Sequence, residues 1–317
     1  MKSLKHVILV STYNQEHLID ETLKSLINQT VLPFKIIIND DFSSDNTFEI
    51  IKNYKKLFPS IFEINRNTSN KGLFENLNIL RKYNNEGDVF SYCAGDDLLD
   101  LKCIENINNA FLHNNIDVQK IPSIVITNSK IKNGPEKYYP WNNYSERYLD
   151  PLKKVIRGSL NFRSVGFSRA LFLKIKSELD YKKKYPDLGL GYDFLVCLDE
   201  IILSKRIIYI NNTGAIYRVN CGITKKKDSV FWRGLYNSVL VVKNKYKNIL
   251  DNSDQKYLNF ILAAYRFKEV PSFKNWIICL KTYIKNLNNF YPNNSIFKNI
   301  PKLLPNSIVV LIKYFLK

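Results

Sequence analysis

A chain of 317 residues with 45% hydrophobic content is long enough for one domain of about 225 residues plus a smaller appendage, and its composition supports an ordered core. Its formal net charge of +18 leaves nucleic acid, an anionic membrane surface or a phosphorylated substrate as partners to weigh. Cys93, Cys103, Cys197, Cys221 and Cys279 are odd in number and never spaced Cys-x-x-Cys, and His6, His17 and His113 form no metal pair; this argues against zinc and against a disulfide framework. No signal peptide is expected, because the apolar run at 7–10 is only a strand long, and a reduced cytosolic location follows.

Lys5-His6-Val7-Ile8-Leu9-Val10 has the pattern of a buried parallel strand, ended by the polar turn Ser11-Thr12-Tyr13-Asn14. Leu18, Ile19, Leu23, Leu26 and Ile27 then predict a helix over 16–28, with Asn14 as its N-cap. A second strand at 34–38 closes on Asn39-Asp40-Asp41-Phe42-Ser43-Ser44-Asp45. There Ser44 or Asp45 would cap a helix carrying Phe48, Ile51, Tyr54 and Phe58 on its inner stripe until Pro59. Phe62-Glu63-Ile64 makes a short strand, 67–72 a polar loop, and Leu73, Leu77 and Leu80 a third helix. A strand at 89–94 follows, and after it the pair Asp96-Asp97. Alternating strands and helices predict an α/β fold with a mostly parallel, doubly wound sheet and flanking helices.

Ligands of such sheets sit beyond the carboxyl ends of the strands, where each of these polar clusters falls. Ser11 to Asn14, Asp40-Asp41 and Asp96-Asp97 should converge on one crevice holding a hydroxyl, an aromatic ring and several carboxylates. Adjacent carboxylates suit Mg²⁺ or Mn²⁺, which bind through one or two acids plus substrate phosphates; the plainer reading of the pair is a solvated turn. No Gly-x-Gly-x-x-Gly follows the first strand, and no Gly-x-x-x-x-Gly-Lys-Ser/Thr loop exists, so a metal must neutralise any bound diphosphate.

These segments resemble the family 2 glycosyltransferases, inverting enzymes of Rossmann-like GT-A fold that use nucleotide-sugars, over roughly residues 5 to 225. The matching segments are Val10-Ser11-Thr12-Tyr13-Asn14-Gln15-Glu16, Gln29-Thr30 and Asp40-Asp41-Phe42-Ser43-Ser44-Asp45-Asn46-Thr47, where the family shows Asp-Asp-Gly-Ser-x-Asp-x-Thr. Further on come Asn70-x-Gly72, Asn76-x-Asn78, Gly87-Asp88, Gly95-Asp96-Asp97 and Tyr217-Arg218-Val219-Asn220. The resemblance implies a nucleotide-binding set of Ser11, Tyr13, Glu16, Asp41 and Asp96, with Asp41 accepting from the base. It implies Asp97 as ligand to a Mn²⁺ or Mg²⁺ cofactor, although Glu16 equally suits a helix N-terminus. Asp193, in Gly191-Tyr192-Asp193-Phe194, is the implied catalytic base, with Tyr192 where the family usually carries Glu. Asp199 and Glu200 lie further along the same helix and are expected to meet solvent or a basic neighbour. Asn220 stands where His is common.

The implied activity is sugar transfer from a nucleotide-sugar, a UDP-sugar above all, to a glycan acceptor. That acceptor would be lipid-linked, as in bacterial O-antigen, capsule or lipooligosaccharide assembly. The expected divisions are a nucleotide-sugar-binding half at 1–100, an acceptor-binding half at 101–225 and a basic helical region at 226–317. Trp141, Tyr144, Arg163 and Ser164 are candidate acceptor contacts, with a strand at 122–126 and a loop at 134–143. From Lys226 onward sixteen Lys or Arg face four Asp or Glu, a net +12, in helices expected at 231–250, 255–267, 273–287 and 307–317. The last is too short to span a bilayer but suits its headgroup layer, which would place the protein on the cytosolic face of the inner membrane; a basic cap packed on the catalytic domain is the alternative. Charge alone also suggests a nucleic-acid-binding or scaffold protein. A nucleic-acid groove gains nothing from a carboxylate cluster, so no nucleic acid is expected. A nucleotidyltransferase would want a Gly-rich basic loop after the first strand, which is missing.

Overall fold

Strand β1 (His6–Thr12) is buried along its length apart from Ser11, as a central strand covered on both faces must be. In the computed structural model, which describes residues 3–132, 138–140, 165–176, 178–218 and 229–285, it pairs in parallel with β2 (Lys35–Asp40) and β4 (Val89–Ala94). The short β3 (Phe62–Arg66) extends the sheet beyond β2. Successive side chains leave on opposite faces, so Val7, Leu9 and Ile37 enter one core and Ile8, Val10, Ile36 and Ile38 the other. Helices α1 (Ile19–Ile27), α2 (Thr47–Leu57) and α4 (Cys103–His113) line the second core, and α3 (Leu73–Leu80) the first.

The rest of the sheet corrects the expectation of mostly parallel strands. Its order is β3-β2-β1-β4-β8-β6-β9-β5, with β7 (Tyr138–Pro140) on β6 (Ser123–Lys132). Strand β8 (Val165–Ser168) runs antiparallel to both β4 and β6; β5 (Leu98–Leu99) is antiparallel to β9 (Arg206–Arg218), which is itself parallel to β6. The sheet is therefore mixed. A parallel neighbour needs a crossover, usually a helix, and after β6 the chain instead folds back through the antiparallel β7.

Beyond β8 come α5 (Arg169–Phe172), α6 (Glu178–Lys184) and α7 (Tyr192–Leu203), then after β9 the helices α8 (Ser229–Lys245), α9 (Asn252–Glu269) and α10 (Phe273–Ile284). The last three match the basic helical segment expected from sequence. They are packed on the sheet: Val239 and Val242 of α8 and Tyr257, Leu258 and Phe260 of α9 share one core with Val7, Leu9 and Phe90. Lys245 reaches both oxygens of Asp199 at 2.8 Å, and Arg233 and Arg266 each close on Glu269 at 2.7 Å. Among the described residues no helix is long and apolar enough to cross a membrane. The helix expected at 307–317 lies outside the described residues, as does the loop expected at 134–143 apart from β7.

Helix α1 starts at Ile19, three residues later than its apolar spacing implies, and Asn14 does not cap it. Asn14 sits at φ 50° and turns its Oδ1 to the Ser44 N–H at 2.8 Å, joining two loops instead.

Candidate active site

The loops that follow β1 and β2 are locked together. The main-chain N–H groups of Asn14, Gln15 and Glu16 donate to Ser43 Oγ (2.9 Å), Thr47 Oγ1 (2.7 Å) and Asp45 Oδ2 (3.1 Å). Glu16 returns the contact, its Oε2 accepting from the N–H and the side-chain amide of Asn46 at 3.0 and 2.9 Å. Glu16 thus shapes the crevice by fixing its wall. Burial pushes the Asp45 carboxyl up, but Thr47 and the Glu16 N–H more than offset this and hold it below the usual range. Asp40 is fully buried; Ser43 donates to it and Arg66 Nε lies at 3.3 Å, so it fixes its own loop.

Asp41 organises a third loop. Its Oδ1 accepts from Asn67 Nδ2 (2.7 Å) and the Lys71 N–H (2.8 Å), and its Oδ2 from the Gly72 N–H (2.8 Å). A carboxylate has about four acceptor positions, so three donors leave room for one more, the number a base N–H requires. Gly72 sits at φ 83°, a conformation glycine adopts without steric cost, and this turns its N–H onto Asp41 at the start of α3. Beneath, the buried Asn76 donates to the Thr12 carbonyl (3.3 Å) and accepts from Asn39 Nδ2. The carboxyl ends of β1 and β2 are thereby tied to α3.

The acidic pair closes the crevice on the β4 side. The Gly95 N–H donates to the Ser11 carbonyl at 2.9 Å, and the Asp41 N–H to the Thr12 carbonyl at 3.0 Å, so Tyr13, Asp41 and Asp96 stand at the mouth of adjacent strands. A Cβ on Gly95 would meet Gln15 Oε1 at 2.2 Å and Thr12 Cβ at 2.9 Å; only glycine lets these loops approach so closely. Asp97 is 5% exposed and accepts from the Arg218 N–H at 3.3 Å, whereas the half-buried Asp96 carboxylate makes no hydrogen bond among the described residues. Cys93 lies below, its thiol pushed well up by burial and then by Asp97.

Arg218, at the end of β9, spans this region. Its guanidinium donates to the Asp96 carbonyl (2.9 Å), Thr22 Oγ1 (3.2 Å) and Glu21 Oε2 (2.6 Å), while Lys132 also pairs with Glu21. Burial raises the Glu21 carboxyl, and the two cations overcome it and hold it below its usual range. The Tyr-Arg segment is visible in the sequence, but Arg218's role as a clamp on the acidic loop is not.

The residues expected to act sort as follows. Ser11, Tyr13, Asp41, Asp96 and Asp97 come together at the ends of β1, β2 and β4; Glu16 stands in the wall. Asp193 is the second residue of α7, and its side chain lies outside the described residues, as do Asn220 and the candidate acceptor contacts Trp141, Tyr144, Arg163 and Ser164. Asp199 meets the basic neighbour expected of it and also accepts from the Tyr246 hydroxyl. Among the described residues no group of three or more His, Cys, Asp or Glu could hold a metal. Asp96 and Asp97 alone still fit Mg²⁺ or Mn²⁺, whose remaining ligands are substrate phosphates and water.

Residues 7–173, more than half of the chain, match the Glycosyl transferase family 2 model. The chain belongs to glycosyl transferase family 2. It is 22% identical over 224 residues to Glycosyltransferase GlyA of Streptococcus pneumoniae serotype 4, covering 69% of this chain and 31% of that protein. The aligned segments span 11% to 32% of the length of its curated relatives. Its fold is similar to that of S. aureus TarS residues 1–349 solved with UDP-GlcNAc (TM-score 0.60, 16% identity, 90% of this chain and 81% of that one). It is also similar to the mannosyltransferase PcManGT of Pyrobaculum calidifontis solved with GDP-Man and Mn²⁺ (TM-score 0.53, 14% identity, 100% and 81%). The family 2 chain thus has the GT-A fold, an α/β architecture with a mixed sheet.

Proposed function

We propose that this family 2 chain is an inverting glycosyltransferase that moves one sugar from a nucleoside diphosphate sugar, preferentially a UDP-sugar, to a hydroxyl of a glycan acceptor in bacterial polysaccharide assembly. The observation that carries this is the convergence of Asp41, Tyr13 and the Asp96-Asp97 pair at the carboxyl ends of three adjacent strands, where open α/β sheets bind ligands. Relatives solved with UDP-GlcNAc, and with GDP-Man and Mn²⁺, support a nucleotide-sugar donor and a divalent cation.

In this reading Asp41 takes the base N–H with its remaining acceptor position, while Ser11 and Tyr13 pack around base and ribose. Glu16 keeps the crevice wall in place. Asp97 would hold a Mn²⁺ or Mg²⁺, with Asp96 at the ribose or the metal's outer shell, and the ion would supply neutralising charge to the diphosphate. Arg218 clamps both acids at the right height. Asp193, on the first turn of α7, takes the proton from the acceptor hydroxyl as it attacks the anomeric carbon from the face opposite the leaving group. We infer a lipid-linked acceptor at the cytosolic membrane face from the basic, partly apolar C-terminal stretch; the packing of α8 and α9 on the sheet limits any lipid contact to what lies beyond that core. A nucleic-acid partner has only net charge in its favour.

The test is the Asp193→Asn variant: nucleotide affinity should stay within about twofold of wild type while sugar transfer falls by roughly 10²-fold or more. Full transfer by the variant would remove Asp193 from the role of base.

A further inference from the structure

We propose that Phe42 is a second aromatic wall of the donor-base site, standing across Asp41 from Tyr13; the proposal rests on the donor-site reading above and adds a determinant of nucleotide affinity to it. Phe42 has φ 64°, in the left-handed region where a Cβ is disfavoured and a bulky side chain is an outlier. Residues held in such conformations collect at ligand sites.

Its surroundings show what the conformation achieves. The Arg66 guanidinium lies over the Phe42 ring, 5.2 Å from its centroid, and over the Phe48 ring, 4.8 Å from its centroid. The one guanidinium is therefore within cation–π range of both rings. Arg66 has no need of Phe42 to stay in place, since Asp40 (3.3 Å), the Ser43 carbonyl (2.6 Å) and Phe48 already hold it. One face of Phe42 is taken by Arg66, yet 47% of the residue remains exposed, so its outer face is open.

Phe42 borders the crevice. Phe42 follows Asp41 directly, and the Asp41 N–H donates to the Thr12 carbonyl, next to Tyr13. Tyr13 is 44% exposed. Neighbouring strands stand about 4.8 Å apart, so the two exposed aromatics lie at the ends of neighbouring strands beside the buried Asp41, whose carboxylate has an acceptor position to spare. A planar, hydrogen-bonding group that reads Asp41 with its edge would meet aromatic faces on either side, and the cation behind Phe42 strengthens stacking by an electron-rich ring on its free face. A nucleobase has that shape and that edge.

The test compares wild type, Phe42→Gly and Phe42→Trp by calorimetric titration with uridine and guanosine diphosphates, and with inorganic pyrophosphate, each with Mn²⁺. Glycine accepts the left-handed backbone, so Phe42→Gly should fold with an unchanged far-ultraviolet dichroism spectrum. Base–aromatic stacking predicts a loss of about 5- to 150-fold in affinity for the preferred nucleoside diphosphate in Phe42→Gly. Pyrophosphate affinity should not change, and Phe42→Trp should retain wild-type nucleotide affinity. Nucleotide affinity within twofold of wild type in Phe42→Gly, or an equal loss of pyrophosphate affinity, would overturn the assignment of Phe42 while leaving the donor site intact. A wild-type protein that binds pyrophosphate and neither nucleotide would overturn both.

Discussion

Lowering the pH from 7 to 5 should destabilise the protein by about 2 kcal/mol through His6 alone. His6 is 1% exposed between β1, β4 and α4; its Nδ1–H donates to Asn108 Oδ1 and its Nε2 accepts from Ser91 Oγ, both at 2.9 Å. Burial lowers its pKa from 6.5 to about 4, against the opposing effect of the Asn108 bond. The unfolded chain therefore binds this proton first. Stability is complete above pH 6.5, declines as pH falls, and reaches a loss of about 3 kcal/mol near the folded pKa of about 4. Asp20, Glu21, Asp45 and Glu269, whose carboxyls are held below their usual values, release their own contributions at lower pH, whereas burial raises Asp40; comparison with a His6 variant cancels all of these. Urea unfolding at pH 7, 6 and 5 on wild type and His6→Gln measures the His6 contribution. The variant starts less stable but should lose about 2 kcal/mol less than wild type across that range. Parallel pH profiles for the two proteins would refute a neutral, buried His6.

Other consequences concern the crevice. Gly95→Ala should cost about 1–3 kcal/mol in thermal unfolding, because Thr12 cannot withdraw from the added Cβ, and should weaken donor binding as the acidic loop is pushed off β1. Arg218→Lys keeps the charge but loses the fork to Glu21, Thr22 and the Asp96 carbonyl; a weakening of Mn²⁺ by about 10- to 100-fold in the presence of nucleotide is expected, and unchanged metal affinity would make Arg218 purely structural. Asp41→Asn places an amide donor against the Lys71 or Gly72 N–H, so melting should fall by about 1.5–3 kcal/mol, with nucleotide no longer stabilising the protein.

The parts of this site that were legible in the sequence share a cause. Ser11, Asp41 and Asp96 each lie within two residues of the carboxyl end of an apolar strand, so local periodicity marks both the strand and the polar residues at its end. Arg218 was visible only as part of a motif, because its clamp depends on Leu98 and Leu99 pairing with Ile216 and Ala215 across more than a hundred residues. Glu16 looked like a helix-terminal acid for the same reason, since its partner Asn46 belongs to another loop. The reversed β8 was hidden because hydrophobic alternation marks a strand and its buried face but carries no direction. Helices α8 to α10 were legible from their spacing; that they join the main core follows from packing no local pattern encodes.

The donor site is tested most directly by calorimetric titration of wild type and Asp97→Asn with uridine, guanosine, thymidine and cytidine diphosphates, each with Mn²⁺, with Mg²⁺ and with chelator. A site built on Asp41 and the Asp96-Asp97 pair predicts metal-dependent binding of one nucleotide, uridine diphosphate first, that is lost in the variant. Absence of binding by every nucleotide with either metal, or tight binding that survives both chelator and Asp97→Asn, would contradict it.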